Sequence, residues 1–443
     1  MTNVSQQYRR IEYALLALAL FLKGYLFFRE WGSLQGFDAK IFISAAELFK
    51  PGQPFPGIND CASCYHPPFS FLSTMMTNWI VGDLVVSSQI LSWLSLLLAF
   101  LLLRAALKHI GILHTLPGIL FLYCTSALPI FIFLSTASTY DSAAYLFSIL
   151  TLYLSILLFW DPPVQWHFKK RLMHLVFLLF TLVLGLQNKY TGILNIGIPC
   201  IVVLIRCRPA LLRSCSEIAI IGLLTAILIS PIYIRRNYLQ EGELFPTYMG
   251  MHFERDLERL RALRDADRFD YIAYIMRITD RSFLELNTPL DNSFFHTIWL
   301  QTWKRENNHW ELHGPKSALS GYISNVYFFL FILPVLLGST LFAFRRRKQQ
   351  EPLHDFGNIL LLLSTLFSLA QLAFAYVYPL GMQEVIKATY IAPALLWIPF
   401  ASGYCVHSAQ LSQKFLRYKP FISTGLLGFL LLFVVLNHTV PVY

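Results

Sequence analysis

Long apolar stretches recur along the whole chain, and short polar segments that carry most of the charge separate them. A run of about 18 or more apolar residues is long enough to cross the hydrocarbon core of a bilayer as a helix. The pattern predicts about eleven such spans, with approximate bounds 11–29, 84–103, 115–135, 141–160, 172–187, 190–206, 216–234, 321–344, 357–378, 388–407 and 420–438. We therefore expect an all-α polytopic membrane protein in which residues 1–443 form a single transmembrane domain.

Basic residues fall in alternate loops, and this pattern predicts the orientation of the chain. With eleven spans, one side of the membrane receives Arg9 and Arg10, Arg104 with Lys108 and His109, Lys169 to Arg171, Arg206 to Arg213, Arg345 to Lys348, and Lys414 to Lys419. Short loops rich in lysine and arginine stay in the cytoplasm. The N-terminus is therefore expected inside and the C-terminus outside.

The composition excludes several classes of protein. Hydrophobic residues make up 56% of the chain and charged residues 14%, which is too little charge for the surface of a soluble domain of this length. The net charge of +10 comes mostly from the loops that orient the protein, so we expect no nucleic-acid partner. The sequence has no glycine-rich phosphate-binding loop, which weighs against an ATP-driven transporter.

Two long segments lie on the outer side in this topology. The first covers residues 30–83 and contains an apolar run at 69–81 that is short for a span, so an in-plane or re-entrant helix is expected there. The second covers residues 235–320. Its middle, 252–281, has apolar residues at helical spacing among many charges, which fits either an amphipathic surface helix or a solvated connecting helix.

The first outer segment carries three features that can hold chemistry. Asp38 is an isolated carboxylate near the membrane interface, where desolvation is expensive, so it is either functional or a helix N-cap. His66 precedes two prolines that fix a rigid entry to the next helix; it can bind a phosphate or a divalent metal ion, or be a plain loop histidine. Cys61 and Cys64 can form a disulfide in an oxidising compartment, or bind a metal ion together with His66.

Two more charged residues fall at the outer ends of predicted spans. Asp141 begins the fourth span, where it is either a functional acid or an N-cap. Lys189 lies between two short spans, on the side that the positive-inside rule does not explain. A phosphate is a natural partner for its ammonium group, and the alternative is a side chain that reaches out to the lipid headgroups.

These residues occur in an order that resembles the GT-C superfamily of membrane glycosyltransferases, which includes protein O-mannosyltransferases and aminoarabinose transferases. Asp38 resembles the acidic residue that opens a helix in the superfamily's first outer segment, although many members carry an Asp-Glu pair and this chain has Asp-Ala. The Tyr-His-Pro-Pro-Phe run at 65–69 resembles the His/Lys-Pro-Pro-Leu element that closes the same segment. Asp141 is similar to the acidic turn between the third and fourth helices.

The resemblance extends to later parts of the chain. Residues 387–393 are similar to the Lys/Arg-x-Arg-Tyr-Leu-x-Pro entry to a late span, with Lys387 and Tyr390 kept and Thr389 in place of the second basic residue. Arg235 is the first of two arginines after a Pro-Ile-Tyr-Ile run, and this run is similar to the Pro-x-Tyr-x-Arg-Asn end of the seventh helix. Each of these cations is either a phosphate ligand or a plain interface anchor.

The resemblance implies a function and assigns roles to these residues. In this group a sugar moves from a polyprenyl-phosphate donor to an acceptor on the outer face of the membrane. The implied catalytic residues are Asp38, as the base, and Asp141, and the implied ligands of the donor phosphate are His66, Lys189, Arg235, Lys387 and Tyr390. The acceptor would be a cell-envelope glycolipid, a polysaccharide or a protein. The expected location is a bacterial inner membrane, in contact with its lipids, with the active site facing the periplasm or exterior.

Interfacial charges are tolerated when they offset one another and an anionic ligand, so we expect the candidate residues to converge on one outward-facing cavity. The main alternative function is a multi-pass transporter or flippase of a lipid-linked sugar. Such proteins usually have charged or broken helices near the bilayer midplane, whereas here the polar residues cluster at one interface. The sequence indicates no certain cofactor and leaves open a divalent metal ion at His66.

Overall fold

The computed structural model describes residues 3–36, 38–50, 52–161, 168–207, 210–242, 244–246, 331–343, 352–377, 388–411 and 419–439, together with six single positions between 258 and 302. All regular structure in these ranges is helical. The predicted amphipathic segment 252–281 falls outside them, apart from isolated positions, and Lys387 falls outside them altogether.

The first eleven α-helices are α1 (Asn3–Arg29), α2 (Ala39–Leu48), α3 (Phe69–Val81), α4 (Leu84–His109), α5 (Leu116–Ala127), α6 (Pro129–Leu134), α7 (Asp141–Phe159), α8 (Phe168–Asn188), α9 (Gly197–Arg206), α10 (Leu211–Ile232) and α11 (Leu239–Glu241). A 3-10 helix, Tyr190–Ile196, joins α8 to α9, and a π-helical turn, Tyr233–Tyr238, joins α10 to α11. The later elements are Phe331–Ala343, Pro352–Val377, a 3-10 helix at Ala388–Leu396, Trp397–Leu411 and Lys419–Thr439.

Helices of membrane-spanning character make up most of the described chain. Within the described residues, seven helices are long and apolar enough to cross a membrane, and four shorter apolar helices accompany them. Each of the eleven predicted spans overlaps one of these helices. This confirms the all-α polytopic class, while the count of eleven spans and their orientation stay predictions.

Helix α7 is the most buried of the seven candidate spans and packs against α4, α8 and α9. Two of its buried hydroxyls are bonded within the helix, as Thr151 donates to the Phe147 carbonyl at 2.7 Å and Ser155 to the Thr151 carbonyl at 2.7 Å. With 19 residues, α7 is about 28 Å long. The two ends of α7, Asp141 and Phe159, therefore lie in two well-separated regions of the bundle.

Ion pairs between helices gather at the Phe159 end. They are Glu12–Arg104, Arg171–Glu217 and Arg206–Asp355. Their common location follows from bonds to the end of α7, because Arg206 donates to the Trp160 carbonyl at 3.2 Å and Arg171 to the Leu158 carbonyl at 3.4 Å. A neighbouring contact, 3.6 Å between His109 of α4 and Asp161, brings the end of α4 to the same region.

The Glu12–Arg104 pair links α1 to α4 and supports a stability prediction. Glu12 is fully buried, and its carboxylate accepts two bonds from the Arg104 guanidinium, at 2.7 and 3.0 Å, and one from the Tyr123 hydroxyl at 3.1 Å. Arg104→Met leaves this carboxylate buried without its cation, so we expect a loss of about 3–5 kcal/mol in the free energy of unfolding in detergent. The double variant Glu12→Gln/Arg104→Met should recover most of that loss; equal stability of the single variant and the wild type would contradict the prediction.

The first outer segment folds onto the Asp141 end of the bundle through a second, smaller apolar core. Its members are Phe42, Ala45, Ala46, Phe49, Cys64, Phe71 and Tyr140. Helix α3 has 13 residues and is about 20 Å long, which is shorter than the hydrocarbon core. Its outer face exposes Met76, Trp79 and Ile80, so apolar side chains face away from the protein at this level of the bundle.

Candidate functional site

Lys189 occupies a tight turn at the end of α8. The helix stops at Asn188, and Lys189 adopts an extended backbone before the 3-10 helix begins. Gly192 makes the turn possible, because a Cβ atom at this position would lie 2.4 Å from the Gly185 carbonyl oxygen. The Lys189 side chain is buried, with 3% of its surface exposed, so it points into the protein and not to the lipid headgroups.

The Lys189 ammonium is surrounded by a carboxylate and two aromatic rings. It forms an ion pair with Asp141. It also lies 3.7 Å from the centroid of the Tyr390 ring and 4.8 Å from that of Tyr140. A cation is stabilised over the face of an aromatic ring, especially away from water. The burial of this charge is therefore offset by three groups that lie far apart in the sequence.

Asp141 is the first residue of α7, and Tyr140 holds the N-cap position. A carboxylate in the first turn of a helix interacts favourably with the helix dipole. Two further bonds fix this region, since Asn188 donates to the Tyr140 carbonyl at 3.0 Å and Ser70 of α3 donates to the Asn188 side-chain oxygen. The ends of α3, α7 and α8 are thus joined around Lys189.

Asp38 occupies the N-cap position of α2, but its side chain makes no cap hydrogen bond. The chain before it is bound to the loop before α7, as the Ser138 amide donates to the Gln35 carbonyl at 2.9 Å. Gly36 has a φ of +116°, and a Cβ there would approach Ala137 at 3.7 Å. This contact between the two segments brings Asp38 to the same end of the bundle as Asp141.

Two phenols, Tyr65 and Tyr140, are influenced by both acidic residues. Burial raises the pKa of Tyr65 and of Tyr140 well above the usual range, and the Tyr390 phenol and the charges of Asp38 and Asp141 act in the same direction. Both hydroxyls therefore stay protonated at neutral pH and serve as hydrogen-bond donors. Because both carboxylates influence the pKa of both phenols, Asp38 and Asp141 lie within electrostatic reach of the same two groups.

His66 lies against these phenols. Its ring centroid is 4.1 Å from that of Tyr65 and 4.2 Å from that of Tyr140, and 4% of its surface is exposed. Among the described residues no group of three or more histidine, cysteine, aspartate or glutamate side chains is placed to hold a metal ion. Cys61 and Cys64 form a disulfide with a Cα–Cα distance of 5.0 Å.

The structure thus brings Asp38, Tyr65, His66, Tyr140, Asp141, Lys189 and Tyr390 to one end of the bundle. Arg235 is exposed, whereas its neighbour Arg236 is buried and bonded to the first outer segment. Sequence reasoning identified both arginines as cations on the outer side, assigned the phosphate to Arg235 alone, and gave no role to Tyr65 or Tyr140. The available signal for the phenols was their position, each directly beside a candidate residue.

No protein-family model matches this chain, and no curated protein matches it. Solved structures to which it is similar include ArnT from Cupriavidus metallidurans in the apo state, with 13% sequence identity over 90% of this chain and 79% of that chain, at a TM-score of 0.43. Another is the same protein bound to undecaprenyl phosphate, with 14% identity over 89% of this chain and 78% of that chain, at a TM-score of 0.43.

Proposed function

We propose that this protein is a glycosyltransferase that moves a sugar from a polyprenyl-phosphate donor to an acceptor on the outer face of the membrane. The observation that supports it best is the arrangement around Lys189, where a buried cation, two carboxylates and protonated phenols meet at one end of a membrane bundle. The motifs that resemble the GT-C superfamily contribute several of these groups. The acceptor is a cell-envelope glycolipid, a polysaccharide or a protein.

The proposed chemistry needs a base and a site for a leaving phosphate. An acceptor hydroxyl or amine attacks the anomeric carbon of the sugar while the bond from that carbon to the phosphate oxygen breaks. The electron pair of the broken bond leaves with the polyprenyl phosphate. Asp38 takes the proton of the acceptor, and Lys189 stabilises the charge of the leaving phosphate. Asp141 orients the ammonium of Lys189, and Tyr65 and Tyr140 supply neutral hydrogen-bond donors near the reacting groups.

The proposal is tested by a reaction that separates transfer from transport. Lipid-linked sugar that accumulates in cells lacking this protein is isolated and incubated with the purified protein and membranes of the same cells. We expect undecaprenyl phosphate, or the corresponding polyprenyl phosphate, to be released in step with the transfer of sugar to an acceptor. Movement of intact donor between leaflets of a vesicle, with no release of lipid phosphate, would overturn the proposal and favour a flippase.

The ring and hydroxyl of Tyr390 can be tested separately. Tyr390→Phe keeps the ring that lies 3.7 Å from the Lys189 ammonium and removes only the hydroxyl, whereas Tyr390→Leu removes both. A desolvated cation–π contact is worth about 2 kcal/mol, so we expect the affinity for undecaprenyl phosphate to be roughly 30-fold lower in the Leu variant than in the Phe variant. Titration of both purified variants measures this; equal affinities would mean that the ring does not position the ammonium.

A further inference from the structure

The first outer segment is bound through its main-chain carbonyl groups, and the arginine that binds them comes from the turn after α10. Pro231 lacks an amide proton and lies near the end of α10, which then continues into the π-helical turn. The residues of this turn that face inward are Tyr233, Arg236 and Asn237. Arg236 therefore leaves the membrane helix with its guanidinium directed into the first outer segment.

Arg236 donates hydrogen bonds to three carbonyl groups of that segment. Its Nε bonds to the Pro56 carbonyl at 3.3 Å, one terminal nitrogen bonds to the His66 carbonyl at 3.0 Å, and the other bonds to the Cys64 carbonyl. Within the described part of the chain, no carboxylate lies within ion-pair distance of this buried guanidinium. Backbone carbonyls thus supply the hydrogen-bond acceptors, while Asp60 acts on the cation from beyond ion-pair distance. The planar fork of arginine suits several acceptors at once.

The disulfide and a tyrosine also fix this segment. Together with the Arg236 hydrogen bonds they form what we call the hold on the first outer segment. Cys64 is fully buried, and its amide donates to the Cys61 carbonyl at 3.1 Å, so the disulfide closes a tight turn just before Tyr65. The Tyr190 hydroxyl donates to the Tyr65 carbonyl and accepts from Asn237 at 3.0 Å. The carbonyls of three consecutive residues, 64 to 66, are therefore all bonded to side chains outside the segment.

This arrangement fixes the direction of two side chains. With its carbonyl bonded to Arg236, His66 has its ring against Tyr140, next to Asp141 and Lys189. We propose that Arg236 and the Cys61–Cys64 disulfide are positioning elements, which hold Tyr65 and His66 against the candidate site so that it can receive a lipid phosphate. The inference rests on the proposed function for the nature of that ligand, but not for the hold itself.

The reactivity of His66 reports the hold directly. Diethyl pyrocarbonate modifies exposed imidazoles, and mass spectrometry compares His66 with His438, which is also buried but lies in the last helix. In Arg236→Gln and in Cys61→Ala/Cys64→Ala, we expect His66 to be modified about tenfold faster, with His438 unchanged. Arg213→Gln is the matched control, since Arg213 is an exposed arginine at the other end of α10.

Reduction of the wild type gives the same test without a substitution. A phosphine reductant such as tris(2-carboxyethyl)phosphine gives two electrons to the disulfide and is converted to its oxide with the oxygen of a water molecule, and the two protons of that water complete the two thiols. Reduced wild type should then resemble the double cysteine variant in His66 modification. If Arg236→Gln does not fold, the reduced protein and the double cysteine variant carry the test.

Binding of undecaprenyl phosphate separates this inference from the proposed function. We expect its affinity to fall about tenfold in Arg236→Gln, measured at a temperature well below the melting transition of the variant in detergent. Unchanged His66 reactivity, or faster modification with unchanged lipid-phosphate affinity, would overturn the inference and leave the proposed function intact. If His66 reactivity increases in the variants but the wild-type protein transfers no sugar, only the proposed function is overturned.

Discussion

Asp38→Asn is expected to lower the rate of sugar transfer by roughly 10²–10⁴-fold, the usual contribution of a general base. The fold should be unaffected, because asparagine has the same shape and is equally suited to the N-cap position of α2. Donor binding should change little, since the base acts on the acceptor. The measurement is single-turnover transfer by purified protein with saturating donor.

Asp83→Asn is the matched control for this experiment. Asp83 lies at the end of the same outer segment, is exposed, and its carboxylate accepts a bond from the Val86 amide at 2.9 Å as the N-cap of α4, a position that asparagine fills equally well. Its rate of transfer should equal that of the wild type. Near-normal turnover by Asp38→Asn would remove Asp38 from the mechanism, and Asp141, the second candidate catalytic carboxylate, would be tested next as the base.

Lys189→Met should have two separate effects. It keeps the length of the side chain but leaves Asp141 buried without its cation, which costs about 3–5 kcal/mol in the free energy of unfolding. It also removes the proposed ligand of the donor phosphate, which should weaken binding of undecaprenyl phosphate by roughly 1.5–3 kcal/mol, the scale of a charge-assisted hydrogen bond. Unfolding in detergent and titration with the lipid measure the two effects.

The double variant Asp141→Asn/Lys189→Met separates stability from binding. A neutral amide beside methionine leaves no unpaired charge, so most of the stability should return. The affinity for undecaprenyl phosphate should stay low. Full affinity in the double variant would mean that another cation holds the phosphate, with Arg235 or Lys387 to be tested next.

The helical class and the positions of the apolar helices could be predicted from sequence because length and apolar content alone make a segment suited to a bilayer. The partner of Lys189 could not be predicted from sequence. The sequence indicates that a cation at this position needs an anion, but a phosphate and a carboxylate meet that need equally well. In the structure the ammonium is paired with Asp141, 48 residues earlier in the chain, and this contact depends on how α7 packs against α8.

The choice between Arg235 and Arg236 shows a second limit. Both follow the same apolar helix, and hydropathy does not distinguish two adjacent arginines. Which one faces inward depends on the phase of the helix after Pro231, where the backbone passes into a π-helical turn. A π-helical turn changes the hydrogen-bond spacing from four to five residues, and no composition signal marks it.

The hold on the first outer segment acts through carbonyl groups, which every amino acid supplies. The side chains of Ala62, Ser63, Tyr65 and His66 can therefore be replaced while Arg236 and Tyr190 keep their hydrogen-bond acceptors. The side chains that the hold itself uses within this stretch are those of the two cysteines. The segment is in this respect an evolvable scaffold, in which residues beside the candidate site can diverge, and with them the choice of substrate, without loss of the local fold.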